Sequence, residues 1–314
     1  MEPVMPNGIR PAEVQTPYRD LTEVEVEDFT RDGVICLRGL YSEEQVDVLA
    51  RELDSIRERG VLGTGIKVDG SYYEWMQNDV IRDFVLFGPT AKPVAQALKT
   101  QRLNFFYDQI FIKQRLGGKG TPWHHDHTFW PLAGEQIVSV WTAMEAVTAD
   151  GSALEFVAGS HLWGKMFEAV GVGGQVASKD EVEPLPDIDA NRDQYQILSW
   201  ELEPGDALLF NAMILHGSRP NSAPQNRRAI TTRWTGDDVR YKPIEGVVRE
   251  LWNHDLKEGD AISGSLYPQV LPDLLDTEVG ERLRGPIPPV PERLKAFVTS
   301  LESRIAAAAS KENP

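Results

Sequence analysis

Thr121-Pro122-Trp123-His124-His125-Asp126-His127-Thr128-Phe129-Trp130 decides how this 314-residue chain is read. It places three imidazoles and one carboxylate on four consecutive residues. Its composition is strand-like, and side chains along a strand alternate between faces, so His124 and Asp126 point one way while His125 and His127 point the other. Alternation alone leaves two ligand pairs open. His124 with Asp126 offers an imidazole and a carboxylate, whereas His125 with His127 offers two imidazoles, closer to neutral zinc and copper sites. Ninety residues after Asp126 comes Leu215-His216-Gly217. Added to the first pair, His216 completes the two-His, one-carboxylate face that holds non-haem Fe(II) and leaves three positions open. One carboxylate partly neutralises the dication, so ligand chemistry favours this set over its rival.

The distal half carries its own argument. Glu203-Pro204-Gly205-Asp206 reads as a turn into Ala207-Leu208-Leu209-Phe210-Asn211, a short apolar run with the character of a buried strand. His216 follows it, placed to face a barrel interior. Eleven residues on, Arg227 opens Arg227-Arg228-Ala229-Ile230-Thr231-Thr232-Arg233-Trp234, whose β-branched centre reads as another strand. An inward guanidinium there clamps a carboxylate bidentately. If Arg227 is inward, even spacing puts Arg233 inward too, which makes Arg233 the reserve candidate.

Several segments resemble the phytanoyl-CoA dioxygenase family of Fe(II)/2-oxoglutarate oxygenases, in order and in spacing. They are Thr121 to Asp126, Val140-Trp141-Thr142-Ala143-Met144-Glu145, Gly151 to His161, and Pro204-Gly205-Asp206 through His216-Gly217-Ser218 to Arg227. Phe29-Thr30-Arg31-Asp32-Gly33-Val34-Ile35 is similar to the family's opening, so the likeness spans about residues 20 to 240. It implies a mainly β fold with flanking helices, a double-stranded β-helix of jelly-roll or cupin-like type with the metal at its mouth. It implies His124, Asp126 and His216 as iron ligands, and Fe(II), 2-oxoglutarate and O2 as the reacting set. It also implies that Arg227 binds the distal carboxylate of 2-oxoglutarate, that Ser218 assists, that Trp141 lies beside the cosubstrate and that Gln109 hydrogen-bonds it. The implied chemistry is oxidative decarboxylation to succinate and CO2, coupled to hydroxylation or desaturation of a bound substrate. Halogenating relatives have a small residue in place of the carboxylate, so Asp126 argues for an oxygenase outcome. One departure is Ala158-Gly159-Ser160-His161, where the family usually has Pro before Gly.

Other residues carry plainer readings. His125 and His127 are expected at the surface or behind the ligands, and His161 is expected to hold a turn. Trp123, Phe129, Trp130 and Trp163 can simply fill the core, although Phe129 or Trp130, immediately beyond the ligand pair, is expected to touch substrate. Arg228 and Arg233 read equally as surface charges or site residues.

The chain reads as one domain with additions. Residues 1–20, with four prolines, make an extended arm. Residues 21–285 make the β-helix domain, with support helices within about 22–60 and 89–99 and a lid-like insertion at 162–194 rich in Gly, Asp and Pro. Thr22-Glu23-Val24-Glu25 and Ser42-Glu43-Glu44-Gln45 are capping boxes, the second leading into Val46, Leu49, Ala50, Leu53 and Ile56 at helical spacing. Residues 286–314 carry Leu294, Phe297, Val298, Leu301 and Ile305 at helical spacing, a terminal amphipathic helix that packs on the barrel or on a second copy in a homodimer.

Net charge of −16 with pI near 4.9 excludes nucleic acid as the expected substrate and weighs against a CoA thioester, since phosphates want a basic surface. A small or mid-sized, partly apolar metabolite fits better, such as a free acid or an amino-acid derivative. Cys36 is the single cysteine, and no signal peptide or membrane-spanning run is expected, so a cytoplasmic, reducing setting is the expectation. Two rival functions stand beside the oxygenase: a barrel metalloenzyme with zinc-bound water, which would not depend on Arg227, and a silent small-molecule-binding sandwich in which the histidines are structural.

Overall fold

The β-branched and aromatic runs of the chain form two antiparallel sheets that face one another. The computed structural model describes residues 19–59, 70–116, 120–168, 182–243 and 254–272. In chain order its elements are α1 (Glu23–Asp32), β1 (Val34–Leu37), α2 (Glu43–Arg59), β2 (Gly70–Tyr72), α3 (Asp79–Phe87), α4 (Ala91–Leu98), β3 (Leu103–Lys113), β4 (Thr121–His124), β5 (Leu132–Ala133), β6 (Ile137–Ala143), β7 (Leu154–Val157), β8 (Ile197–Ser199), β9 (Ala207–Asn211), β10 (His216–Ser218), β11 (Arg227–Thr235), β12 (Arg240–Tyr241) and β13 (Gln269–Leu271). The larger sheet has the order β1-β9-β6-β11-β3-β13, with β2 also on β3, and the smaller has β4-β10-β7-β8. This is a double-stranded β-helix.

Alternation sorts the larger sheet into two faces. Ile230 and Trp234 of β11, Phe105 and Ile110 of β3 and Val138 and Val140 of β6 point outward, where they share one core with Val46, Leu49, Leu53 and Ile56 of α2. Burying each such side chain contributes roughly 1.5–3 kcal/mol, enough to fix the helices on that face. The inward face of the same strands carries Trp141, Leu208, Phe210 and Ala229, which meet Leu154 and Phe156 of the smaller sheet. The remaining inward positions are polar, and they form the site.

Local signals set the ends. Thr22 and Glu25 close a reciprocal capping box on α1, and Gly33, in the left-handed region at φ 81°, donates back to Phe29 O at 2.9 Å. Ser42 and Gln45 exchange side-chain and backbone bonds of 3.0 and 3.3 Å at the start of α2. Gly205 holds φ 90° in the turn before β9, and a Cβ there would lie 2.3 Å from Tyr41 O, so only glycine fits. Asp206 beside it ties the turn to Arg38 at 2.6 Å and to Gly39 N at 2.7 Å.

Two differences from the sequence reading matter. The helix α3, capped by Asn78 through Ile81 N at 3.1 Å, was hidden in a short apolar run that ends at Gly88-Pro89. The strand read from Thr121 to Trp130 stops at His124, and residues Asp126–Phe129 turn in a 3₁₀ coil held by His127 N donating to Ala212 O at 3.0 Å. Among the described residues no helix is long and apolar enough to cross a membrane. The arm at 1–20, apart from residues 19 and 20, the middle of the 162–194 insertion (169–181) and the terminal helix at 286–314 lie outside the described residues.

Candidate metal centre and active site

Antiparallel pairing puts His216 of β10 directly opposite His124 at the end of β4. The turn after His124 then swings Asp126 back beneath both rings. His124, Asp126 and His216 offer ligand atoms that all lie within 4.8 Å of one another. Nε2 of His124 is 3.7 Å and Nε2 of His216 is 4.0 Å from Oδ1 of Asp126.

The hydrogen bonds behind these atoms fix their chemistry. Nδ1 of His124 meets Pro122 O at 2.8 Å and Nδ1 of His216 meets Ile214 O at 3.1 Å. A carbonyl only accepts, so each Nδ1 carries the proton and each Nε2 presents a lone pair. Ser139 donates to Oδ2 of Asp126 at 2.7 Å, leaving Oδ1 to face the imidazoles. Burial and the neighbouring His124 pull His216 down to about 3, so it is neutral and ready to ligate. Burial alone would raise the Asp126 carboxyl, but Arg233, the His124 contact and His216 outweigh it and hold the group well below the usual carboxylate range. Two neutral imidazoles and one carboxylate with converging lone pairs fit a mononuclear Fe(II) ion.

The rival pair is excluded by geometry. Of the two expected places for His125 and His127, the surface or behind the ligands, both take the buried one. Nε2 of His125 accepts from Phe167 N at 3.0 Å, and Nε2 of His127 donates to Leu132 O at 3.0 Å. Burial, reinforced by His127, lowers His125 to about 4. His161 sits in the 3₁₀ turn Ser160–Trp163, so close to Gly33 that a Cβ on that glycine would lie 2.4 Å from its Nδ1. Trp163 is half-exposed beside Phe167 and Tyr195 and fills no core.

Beyond the metal ligands, one end of the interior gathers two cations, with Glu145 acting on Arg227 through its charge alone. Arg227 points inward at 4% exposure, its guanidinium 5.1 Å from the Trp141 ring, with Nη1 donating to Ser152 O at 2.8 Å and Nε without a partner. Lys113, its register partner on β3, reaches Ser152 Oγ at 3.0 Å and also Ser218 Oγ. Among the described residues no carboxylate hydrogen-bonds to either cation. Burial, with the Arg227 charge beside it, pulls Lys113 down to about 7, and burial brings Arg227 to about 10. Buried Arg227 and half-buried Lys113, side by side with the Ser218 hydroxyl, can receive a carboxylate.

At the other end stand Arg233 and Gln109. Arg233 is inward as strand alternation requires, with Nη2 donating to Gln109 Oε1 at 2.7 Å and lying 3.9 Å from Asp126 Oδ2. Arg228, one residue from Arg227, faces outward instead, where it binds Glu145 at 3.0 Å and Asp54 of α2 at 2.6 Å.

The description phytanoyl-CoA dioxygenase (PhyH) is that of the family whose model matches residues 29–229, more than half of the chain. The chain belongs to the phytanoyl-CoA dioxygenase family. A probable phytanoyl-CoA dioxygenase of Caenorhabditis elegans is 28% identical over 182 residues, covering 57% of this chain and 54% of the nematode protein. The chain thus spans about half the length of the first curated relatives it matches. Among solved structures, the α-ketoglutarate-dependent carbocyclase SnoK from nogalamycin biosynthesis superposes with TM-score 0.63 at 19% identity, over 81% of this chain and 98% of that one. The epimerase SnoN, solved with Fe3+, α-ketoglutarate and nogalamycin RO, gives TM-score 0.61 at 17% identity over 79% and 98%. These likenesses establish the shared double-stranded β-helix of this PhyH family member.

Sequence reasoning missed Lys113, Ser139 and Ser152. Lys113 was within reach, because it shares odd parity with Gln109 on β3 and so had to face inward with it. Ser139 and Ser152 carry no signal of their own, since only the β6 register and the loop before β7 bring them to the site.

Proposed function

We propose that this protein is an Fe(II)/2-oxoglutarate-dependent dioxygenase that hydroxylates or desaturates an unactivated carbon of a small or mid-sized, partly apolar metabolite, with release of succinate and CO2. The observation that carries the reading is the convergence of His124 Nε2, His216 Nε2 and Asp126 Oδ1 beside a carboxylate subsite that has no carboxylate of its own. Iron held by the three ligands supplies open positions for the cosubstrate and O2, and with them the oxidising chemistry.

The protein's own part is binding, orientation and exclusion of water. Arg227 and Lys113 bind the distal carboxylate of 2-oxoglutarate, with the Ser218 hydroxyl completing the subsite. Trp141 lies under the guanidinium of Arg227 and forms a flat wall against the diacid's chain. The Pro122 and Ile214 carbonyls hold both imidazoles in one tautomer, so neither ring must reorganise when ligands exchange. Gln109 faces the same interior, its Oε1 engaged by Arg233 and its amide nitrogen left to donate to the cosubstrate. Phe129, half-buried and edge-on to the His124 ring at 6.0 Å, borders the space where substrate approaches the metal. A reducing compartment such as the cytoplasm suits an enzyme whose iron must stay ferrous.

A zinc-type hydrolase would need the three ligands but has no use for a buried arginine beside a half-buried lysine with no carboxylate hydrogen-bonded to either among the described residues. Titration of anaerobic, Fe(II)-loaded protein with 2-oxoglutarate tests the reading. A weak visible metal-to-ligand charge-transfer band that saturates in the wild type and is strongly weakened in Arg227→Ala is the expected result. Bound metal with no band in the wild type would refute the oxygenase assignment, and an equal midpoint in the variant would remove Arg227 from the subsite.

A further inference from the structure

Arg233 has so far been placed only beside Gln109 and the Asp126 carboxylate, yet it is deeply buried. It is 3% exposed, and its Nε and Nη1 have no hydrogen-bond partner among the described residues. Leaving donors of a buried guanidinium unsatisfied is costly, and the cost is tolerated where a ligand completes the bonds. Among the described residues its ion-pair partner is Asp126, 3.9 Å away at Oδ2. A dication bound at Oδ1 takes up that carboxylate's charge, and Arg233 is then left uncompensated.

We infer that Arg233, braced by Gln109, is the anchor for a carboxylate on the substrate, so that the substrate is an acid with an apolar or aromatic body. The inference rests on the oxygenase reading and adds the substrate class to it. Arg233 stands apart from the two cations at the other end of the interior. It approaches Oδ2 of Asp126, the oxygen turned away from the imidazoles. Arg227 and Arg233 stand six residues apart on one strand, roughly 20 Å between Cα atoms at about 3.3 Å per residue. A five-carbon diacid with bonds of about 1.5 Å spans only roughly 5–6 Å, so a distal carboxylate held by Arg227 does not also reach Arg233.

The surroundings say what the rest of the acid looks like. The guanidinium lies 4.6 Å from the Tyr107 ring centroid and 5.5 Å from that of Trp130, whose Nε1 donates to the Tyr107 hydroxyl at 2.8 Å. These contacts hold the fork in one plane, which suits a carboxylate. Tyr72, half-buried 6.3 Å from Tyr107, and Phe129 beside His124 extend the aromatic wall from Arg233 towards the metal. An acid held by Arg233 therefore lays its apolar carbons along that wall and offers them to the iron site.

The test uses full-length protein loaded anaerobically with Fe(II) and saturating 2-oxoglutarate, with calorimetric titration of phenylacetate, 3-phenylpropionate and octanoate, each against its primary amide. At least one acid should bind the wild type about 10- to 100-fold more tightly than its amide. Arg233→Gln should erase that preference and Arg233→Lys should restore part of it, with each variant held at its own saturating 2-oxoglutarate and its iron content and charge-transfer band read on the same samples. No acid outbinding its amide in the wild type overturns the inference, as does a preference that survives in Arg233→Gln. A variant that loses 2-oxoglutarate or iron while keeping the acid preference makes Arg233 a residue that positions the cofactors instead. Absence of the charge-transfer band in the wild type is the separate failure of the oxygenase reading itself.

Discussion

Replacing Lys113 with methionine probes a proton hidden in cosubstrate binding. In the protein alone, burial and the adjacent Arg227 charge bring Lys113 to about 7, so near pH 8 it is mostly neutral. A carboxylate seated between Arg227, Ser218 and Lys113 favours the charged amine and drives its protonation. Binding of 2-oxoglutarate should then take up about 0.4 to 0.9 proton at pH 8 and only about 0.1 at pH 6, and the apparent Kd should rise by up to about tenfold per pH unit above 7. In Lys113→Met both the uptake and the slope should vanish. Its affinity at pH 6, where the wild-type lysine is charged, should be about 10- to 150-fold weaker, and the two proteins should converge towards pH 9. Calorimetry of the anaerobic Fe(II) protein in buffers of different ionisation heat reads the uptake directly. Stability follows the same linkage. A lysine with a depressed folded value contributes stability in full above its unfolded value of 10.5 and loses it as pH falls to about 7. The methionine variant lacks that loss, so its melting temperature should gain on the wild type over this window. Equal proton uptake in both proteins, or none in the wild type, would refute the assignment of Lys113 to the carboxylate.

Two further substitutions separate the faces of the metal-bearing segment. Asp126→Ala removes the one anionic donor, so iron retained after dialysis should drop at least about tenfold and succinate release should disappear, whereas Asp126→Gly can leave a halide-binding site with little native activity; full product formation by the Ala variant contradicts the ligand assignment. His125→Ala should keep its iron but lose about 1–3 kcal/mol of stability in chemical denaturation, because Phe167 N–H is left buried without an acceptor. Iron lost from that variant would instead favour the opposite face.

The site was legible where chemistry is local and illegible where it depends on register. His124, Asp126 and His216 could be proposed because their residue types select a metal, and Arg227 because a strand of even parity follows the distal histidine. The physical route was only half right, however. Strict alternation was expected to bring His124 and Asp126 to one face, yet the strand ends at His124 and a 3₁₀ turn delivers Asp126. The sequence left His125 and His127 either at the surface or behind the ligands, since the choice depends on Phe167 and Leu132 arriving from elsewhere in the fold. The β-helix itself was readable from turn and strand signals together with the family resemblance, and α3 was missed because eight mostly apolar residues before Gly88-Pro89 carry no clear period. Arg233 could be placed inward by parity, but its lack of partners is a property of three-dimensional packing alone.

The three ligands are held in unlike ways. Both imidazoles are set by main-chain carbonyls two residues upstream on their own segments, Pro122 for His124 and Ile214 for His216. Asp126 is set by side chains, Ser139 and Arg233, that arrive from neighbouring strands. Substituting Ser139 or Arg233 therefore acts on the oxygen donor while the carbonyl bonds that set both imidazoles stay in place. One hydroxyl and one guanidinium would tune the charge that Asp126 offers a metal, a dial separate from the backbone.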